Sequence, residues 1–152
     1  MYCQQTEADT ICYQDSVAKL LSMIFSLLIY SSPISHQGSL TAFNFAKAAL
    51  SKGHQIKRVF FYGDGVYNAS GLSVPAQDES SVVSLWSHLA TEHNIDLAVC
   101  ISTAIRRGII DAAEARRYEL PHHNLLSPYQ LSGLGQLADA MLKSDRLISF
   151  GA

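Results

Sequence analysis

The feature that most constrains the fold of this chain is a regular alternation between short apolar runs and longer amphipathic stretches. The apolar runs are bounded by turn residues, as buried strands of parallel sheets are, and occupy Leu20–Tyr30, Ile56–Tyr62, Ile95–Ile101 and Arg146–Phe150. Between them lie segments with helical apolar spacing or a helix-capping pair, at Ser39–Lys52, Val82–His93, Asp111–Tyr118 and Leu134–Leu142. This alternation predicts an α/β fold, with an open, mostly parallel sheet and helices on both faces.

The composition indicates a single domain that contacts other subunits. A chain of 152 residues has the length of one ordinary domain. Only 16% of its residues are charged, whereas about 25% is typical, and we interpret the deficit as surface that faces other subunits. The formal net charge of −2 argues against direct, strong binding to nucleic acid.

Neither a membrane span, a disulfide framework nor a metal site is expected. The first apolar run is shorter than the ~20 residues that cross a bilayer, and the stretch before it is acidic, unlike a secretory signal. The cysteines, Cys3, Cys12 and Cys100, form no C-x-x-C pattern. His122 and His123 lie in a proline-flanked loop without further ligands. A reducing cytoplasm is therefore the expected compartment.

Two loops follow predicted strands at the sheet edge where α/β proteins place their ligands. The first, Tyr62–Tyr67, contains Gly63-Asp64-Gly65, which matches no dinucleotide fingerprint or P-loop and predicts a tight turn. The second, Cys100–Gly108, is the one that contains a nucleophile. Because the two strand ends should be close, we expect the walls of a pocket near Cys100 to be formed by Tyr62, Gly65 and Val66.

The sequence around Cys100 allows two interpretations of this cysteine. Inside Val-Cys-Ile on a core strand, a cysteine is typically a small buried hydrophobe. A helix beginning near Ser102 would instead direct free N–H groups at the sulfur, and nearby arginines lower the pKa of a thiol. In that case a thiolate or persulfide would be supported by the backbone of Ser102, Thr103 and Ala104 and by the side chains of Arg106 and Arg107.

Three groups of residues carry a resemblance to a known family. They are Phe60-Phe61-Tyr62 with Gly65–Ala69, Val99-Cys100 with Ala104 and Arg106-Arg107-Gly108, and Leu131–Gly135 with Leu137-Ala138. In this order and spacing, the chain from Met23 onward resembles the DsrE/TusD-like sulfurtransferase subunits, which have a three-layer, flavodoxin-like fold. Residues 1–22 form an extension that the family lacks, expected to be poorly ordered or a short helix around Asp15–Leu21, and no role is assigned to Cys3 or Cys12.

The resemblance implies that Cys100 is the sulfur-carrying residue. It would accept a sulfane sulfur from a small donor carrier protein, hold it as Cys–S–SH and pass it to an acceptor protein, without a metal or organic cofactor. The implied setting is tRNA wobble-uridine 2-thiolation in the cytoplasm, inside a heterohexamer with two related subunits.

Three alternatives to this function remain open at the level of sequence. The chain could be a DsrE-type carrier in sulfur oxidation, or a non-catalytic assembly subunit of the same complex. A flavodoxin-like module that binds a flavin or nucleotide ranks last, because the phosphate-cradling loop is missing. Ser132–Gly135 is interpreted as the N-cap of the last helix, with anion binding there as the less favoured interpretation.

Overall fold

The computed structural model describes residues 22–77 and 81–151. Apart from Ser22, the predicted extension lies outside the described residues, and so do Cys3, Cys12 and the helix expected at Asp15–Leu21.

Within the described residues, five parallel strands form one sheet in the order β4-β3-β2-β1-β5. The strands are β1 Ile24–Ile29, β2 Gln55–Phe61, β3 Asp96–Cys100, β4 Gln130–Ser132 and β5 Arg146–Phe150. The predicted open parallel sheet is thus confirmed. Strand β4 was not predicted, because a strand of three residues is too short to show a periodic pattern.

The helices agree with the predicted segments to within about one residue at most ends. They are α1 Gly38–Ser51, α2 Val82–His93, α3 Ile101–Arg106, α4 Ala112–Arg117 and α5 Leu134–Leu142, with a 3₁₀ helix at Gly63–Ala69. The capping pair of α4 is present, since the Asp111 carboxylate accepts a hydrogen bond from the N–H of Glu114 at 2.8 Å. The N-cap of α5 is Gly133, with no side-chain cap. The prediction that Ser132 caps this helix is therefore wrong, because Ser132 ends β4.

The two faces of the sheet are covered unequally. Alternate strand residues such as Leu27, Phe61 and Val99 join the main core, to which α1 and α2 also contribute. Trp86 is fully buried there, with its ring edge-on to neighbouring aromatic rings. The intervening strand residues form a smaller second cluster, against which Leu137 of α5 packs; this cluster is Leu28, Phe60, Ala98 and Cys100. Helices on both faces are thus confirmed, with the main core on one side.

Hydrogen bonds and a close backbone contact hold the 3₁₀ helix after β2 against the end of β1. Asn68 is fully buried, and its amide nitrogen donates to the carbonyl oxygens of Gly65 at 2.8 Å and Ser31 at 3.3 Å. Gly65 packs directly on the β1 backbone, where any Cβ would overlap the carbonyl oxygen of Ile29. This contact brings the loop after β2 close to the carboxyl end of β1.

Gly65→Ala is expected to lower the free energy of unfolding by about 1–3 kcal/mol, as overpacking does, because the obstructing atoms belong to backbone. Urea unfolding measures the loss. Gly135→Ala is the matched control, because a Cβ there meets nothing within 4 Å. Equal unfolding midpoints for the two variants would contradict this account of Gly65.

Candidate functional site

Cys100 is the last residue of β3 and immediately precedes α3, which begins at Ile101. The predicted helix start near Ser102 is therefore correct to within one residue. Cys100 occupies the N-cap position with an extended backbone, φ −60° and ψ 113°, and its side chain makes no capping hydrogen bond to α3. The side chain is only 1% exposed. The sulfur is thus held at the carboxyl edge of the sheet but beneath the surface.

The neighbours of the thiol follow from the strand register. Cys100 pairs with Ser132 of β4, on one side. On the other side, Phe61 of β2 pairs with Val99, so the next residue, Tyr62, lies beside Cys100. Tyr62 packs against the second cluster, as does Leu137 of α5. The thiol therefore lies between two strand ends and under the face that α5 covers.

The residues predicted to support a sulfur anion occupy different positions in α3. Ser102 and Thr103 lie in its first turn, where backbone N–H groups have no partner within the helix. The N–H of Ala104 is not available, because a helix beginning at Ile101 directs it to the carbonyl of Cys100. The Ala104 side chain is fully buried in the main core. The Thr103 hydroxyl donates to the Cys100 carbonyl at 3.2 Å.

The two adjacent arginines are also separated by the structure. The Nε and Nη2 atoms of Arg107 lie 2.9 and 2.8 Å from one carboxylate oxygen of Asp64, and its Nη1 is 3.5 Å from the Thr103 carbonyl. Arg107 therefore links α3 to the 3₁₀ helix. Arg106 is exposed, and within residues 22–77 and 81–151 it takes part in no ion pair.

Of the predicted pocket walls, Tyr62 alone is placed beside the thiol. Val66 is fully buried in the main core, on the opposite face of the sheet from Cys100. Gly65 packs on the backbone of Ile29. The expectation that Gly65 and Val66 line a pocket with Cys100 is corrected by this placement, because the 3₁₀ helix turns back onto the main-core face.

A charged cluster that was not predicted from the sequence holds α5 on the sheet. Arg58 of β2 donates from Nε to Asp96 and from Nη1 to the Gln136 carbonyl, both at 2.6 Å, and its Nη1 lies 3.5 Å from Asp139. A hydrogen bond from Lys143 and, to a lesser extent, the charge of Arg58 hold the pKa of Asp139 below its usual value. One charged residue on a strand and another on a distant helix form no sequence pattern from which their contact could be predicted.

A cavity among the described residues lies apart from Cys100. This cavity of about 600 Å³ opens between the loop after β1 and the segment before α2, lined by residues such as His36, Leu40 and Val74 but not by Cys100. Among the described residues, no three His, Cys, Asp or Glu side chains are grouped to hold a metal. His122 and His123 are exposed. Over the same residues, no helix is long and apolar enough to cross a bilayer.

Comparisons with known proteins match nearly the whole domain. The family model described as DsrE/DsrF-like family matches residues 23–150. A protein of Allochromatium vinosum that carries the name DsrE is 47% identical over 129 residues, which cover 85% of this chain and 99% of that protein. Sulfurtransferase TusD of Photorhabdus laumondii is 44% identical and covers 85% of this chain, with 98% of its own length matched.

A solved structure shows the same fold at low identity. The crystal structure of the Escherichia coli ychN protein superimposes with a TM-score of 0.66 and 18% identity, over 86% of this chain and 100% of that chain. At this identity the likeness concerns the fold.

Arg107→Ala is expected to lower the free energy of unfolding by about 0.2–1 kcal/mol, the usual range for a partly exposed ion pair, because it removes the link to Asp64. Arg106→Ala, the matched control, should leave stability unchanged. Thermal unfolding at low and high salt measures both, and the Arg107 effect should shrink in high salt. An equal loss from both substitutions would contradict the separate placement of the two side chains.

Proposed function

We propose, since this chain belongs to the DsrE/DsrF-like family, that it is a sulfurtransferase subunit in which Cys100 carries a sulfane sulfur as a persulfide. The observation that carries the proposal is the position of Cys100, at the end of a central strand and directly before a helix. Relatives named as sulfurtransferases support the proposal, because this chain matches them over almost their entire length.

The proposed chemistry is two successive thiol exchanges. In the first, the Cys100 thiolate attacks the outer sulfur of a donor protein's persulfide, and a new S–S bond forms on Cys100. The S–S bond in the donor breaks, and its electron pair leaves with the donor cysteine as a thiolate. In the second, an acceptor thiolate attacks the outer sulfur on Cys100 and regenerates the Cys100 thiolate. Electrons balance in each step, so neither an external oxidant nor a cofactor is required.

Backbone donors and one exposed charge are available for this chemistry. The N–H groups of Ser102 and Thr103 lie in the first turn of α3 and can turn towards an anion that forms on Cys100. Arg106 is available to attract an acidic surface or carboxyl terminus of a partner protein. In this proposal Arg107 does not contact the partner protein but helps to hold α3 in place, since its guanidinium group is already paired with Asp64.

The proposed setting is a cytoplasmic complex of related subunits that serves tRNA wobble-uridine 2-thiolation. The name TusD on a relative of 44% identity supports this setting, as does the low charged fraction of 16%. Apolar side chains exposed on α5 add to the surface available for subunits; they are Leu134, Met141 and Leu142. The donor in this proposal is a small sulfur-carrier protein, and the acceptor is a second protein of the relay.

A DsrE-type role in sulfur oxidation is the second candidate. The relative of 47% identity that carries the name DsrE favours it. The chemistry at Cys100 would be the same in both settings, and the proteins that donate and accept sulfur would differ. A non-catalytic assembly subunit is the third candidate, and it predicts that Cys100 takes up no sulfur.

Cys100→Ser is expected to abolish sulfur uptake while leaving folding and subunit assembly intact. The measurement is intact-protein mass spectrometry after incubation with a cysteine desulfurase, cysteine and a small sulfur-carrier protein. Wild type should gain the mass of one sulfur, which peptide mapping should locate on the Cys100 peptide rather than on Cys3 or Cys12. A Cys3→Ser, Cys12→Ser double variant serves as the control and should load normally. Absence of any gain on folded wild type with its partner subunits present would support the assembly-subunit alternative instead.

A further inference from the structure

The pairing of β3 with β4 places a hydroxyl group next to the reactive thiol. We propose that the Ser132 side chain donates a hydrogen bond to the anionic sulfur on Cys100, first to the thiolate and then to the persulfide. This inference rests on the function proposed above and assigns a further residue to the same site.

The register fixes the direction in which Ser132 points. Successive partners along the two strands are Ala98 with Gln130, Val99 with Leu131 and Cys100 with Ser132. Val99 and Leu131 both pack in the main core, and side chains alternate between faces along a strand. The side chains of Cys100 and Ser132 therefore project from the opposite face, on neighbouring strands ~4.8 Å apart.

Two of the other hydroxyl groups near Cys100 are less suited to this role. The Thr103 hydroxyl already donates to the Cys100 carbonyl. The Tyr62 ring packs edge-on against Tyr30, with ring centroids 5.6 Å apart, and it presents an apolar wall to the second cluster. The Ser132 hydroxyl, by contrast, makes no hydrogen bond to any of the residues that the structure describes, and its side chain is half-buried. It is therefore free to rotate towards a charged sulfur.

Burial of the sulfur favours a hydroxyl donor in addition to the backbone N–H groups of Ser102 and Thr103. Cys100 is almost inaccessible to water, and an anion in an apolar environment is strongly disfavoured unless it is hydrogen-bonded. The apolar neighbours on this face, Phe60 and Leu137, offer no donor. A hydroxyl that donates to the anionic sulfur stabilises the thiolate before attack and the persulfide anion after the S–S bond has formed. Ser132 keeps its proton throughout, so the balance of the exchange is unchanged.

The proposal is tested by the pH dependence of Cys100 alkylation and by the rate of persulfide loading, both on the full chain. In Ser132→Ala, the midpoint pH of iodoacetamide alkylation at the Cys100 peptide should rise by about one unit, and loading should slow about tenfold, as the loss of a hydrogen bond to a charged group implies. Ser149→Ala, an exposed serine of β5 at the far edge of the sheet, is the matched control and should change neither quantity.

An isosteric pair separates the hydroxyl from side-chain shape. Ser132→Thr should behave like wild type, whereas Ser132→Val should behave like Ser132→Ala, and both residues suit a strand. The proposal is overturned if Ser132→Ala and Ser132→Val leave the midpoint pH of alkylation unchanged and the loading rate within twofold of wild type. A raised midpoint in a protein that takes up no sulfur would support the hydrogen bond and contradict the proposed function, so the two failures are distinguishable.

Discussion

The site depends on the parallel hydrogen bonding of β3 with the strands on either side of it. Parallel pairing brings the carboxyl ends of neighbouring strands to one edge, and the register sets Cys100 beside Ser132 and one residue beyond the Phe61–Val99 pair. A shift of one residue in either pairing would turn the neighbouring side chains to the other face. The surroundings of the sulfur are therefore determined by sheet register before any side chain of the loops takes part.

The unequal covering of the two faces determines how the sulfur can be reached. The main core lies between the sheet and α1 and α2, whereas the face of Cys100 is covered through α5, which Arg58 holds by its bonds to Gln136 and Asp139. A persulfide donor needs access to a sulfur that is buried in the isolated chain. The proposed reaction therefore requires a route to the sulfur past its neighbours on this face, Tyr62 and Leu137 of α5.

The fold and the position of Cys100 at a strand end were predictable from local pattern, and most of the contacts around it were not. Apolar runs and helical spacing located all strands but β4 and placed Cys100 at a strand end. Of the residues predicted to line a pocket there, Tyr62 lies beside Cys100, whereas Val66 lies in the main core because the 3₁₀ helix turns it to that face. The contact of Arg58 with α5 and the pairing of Ser132 with Cys100 were not predicted, since each depends on a partner far away in the chain.

The sequence by itself determined most of the helices and strands and the position of a cysteine at the end of β3, directly before α3. These properties follow from the local period of apolar residues and from turn and cap residues, which act over a few positions. Only the tertiary structure decided which side chains surround the sulfur and which of the two adjacent arginines, Arg106 and Arg107, forms an ion pair. Strand order and register arise from long-range packing of segments separated by whole helices, and no local pattern encodes those contacts.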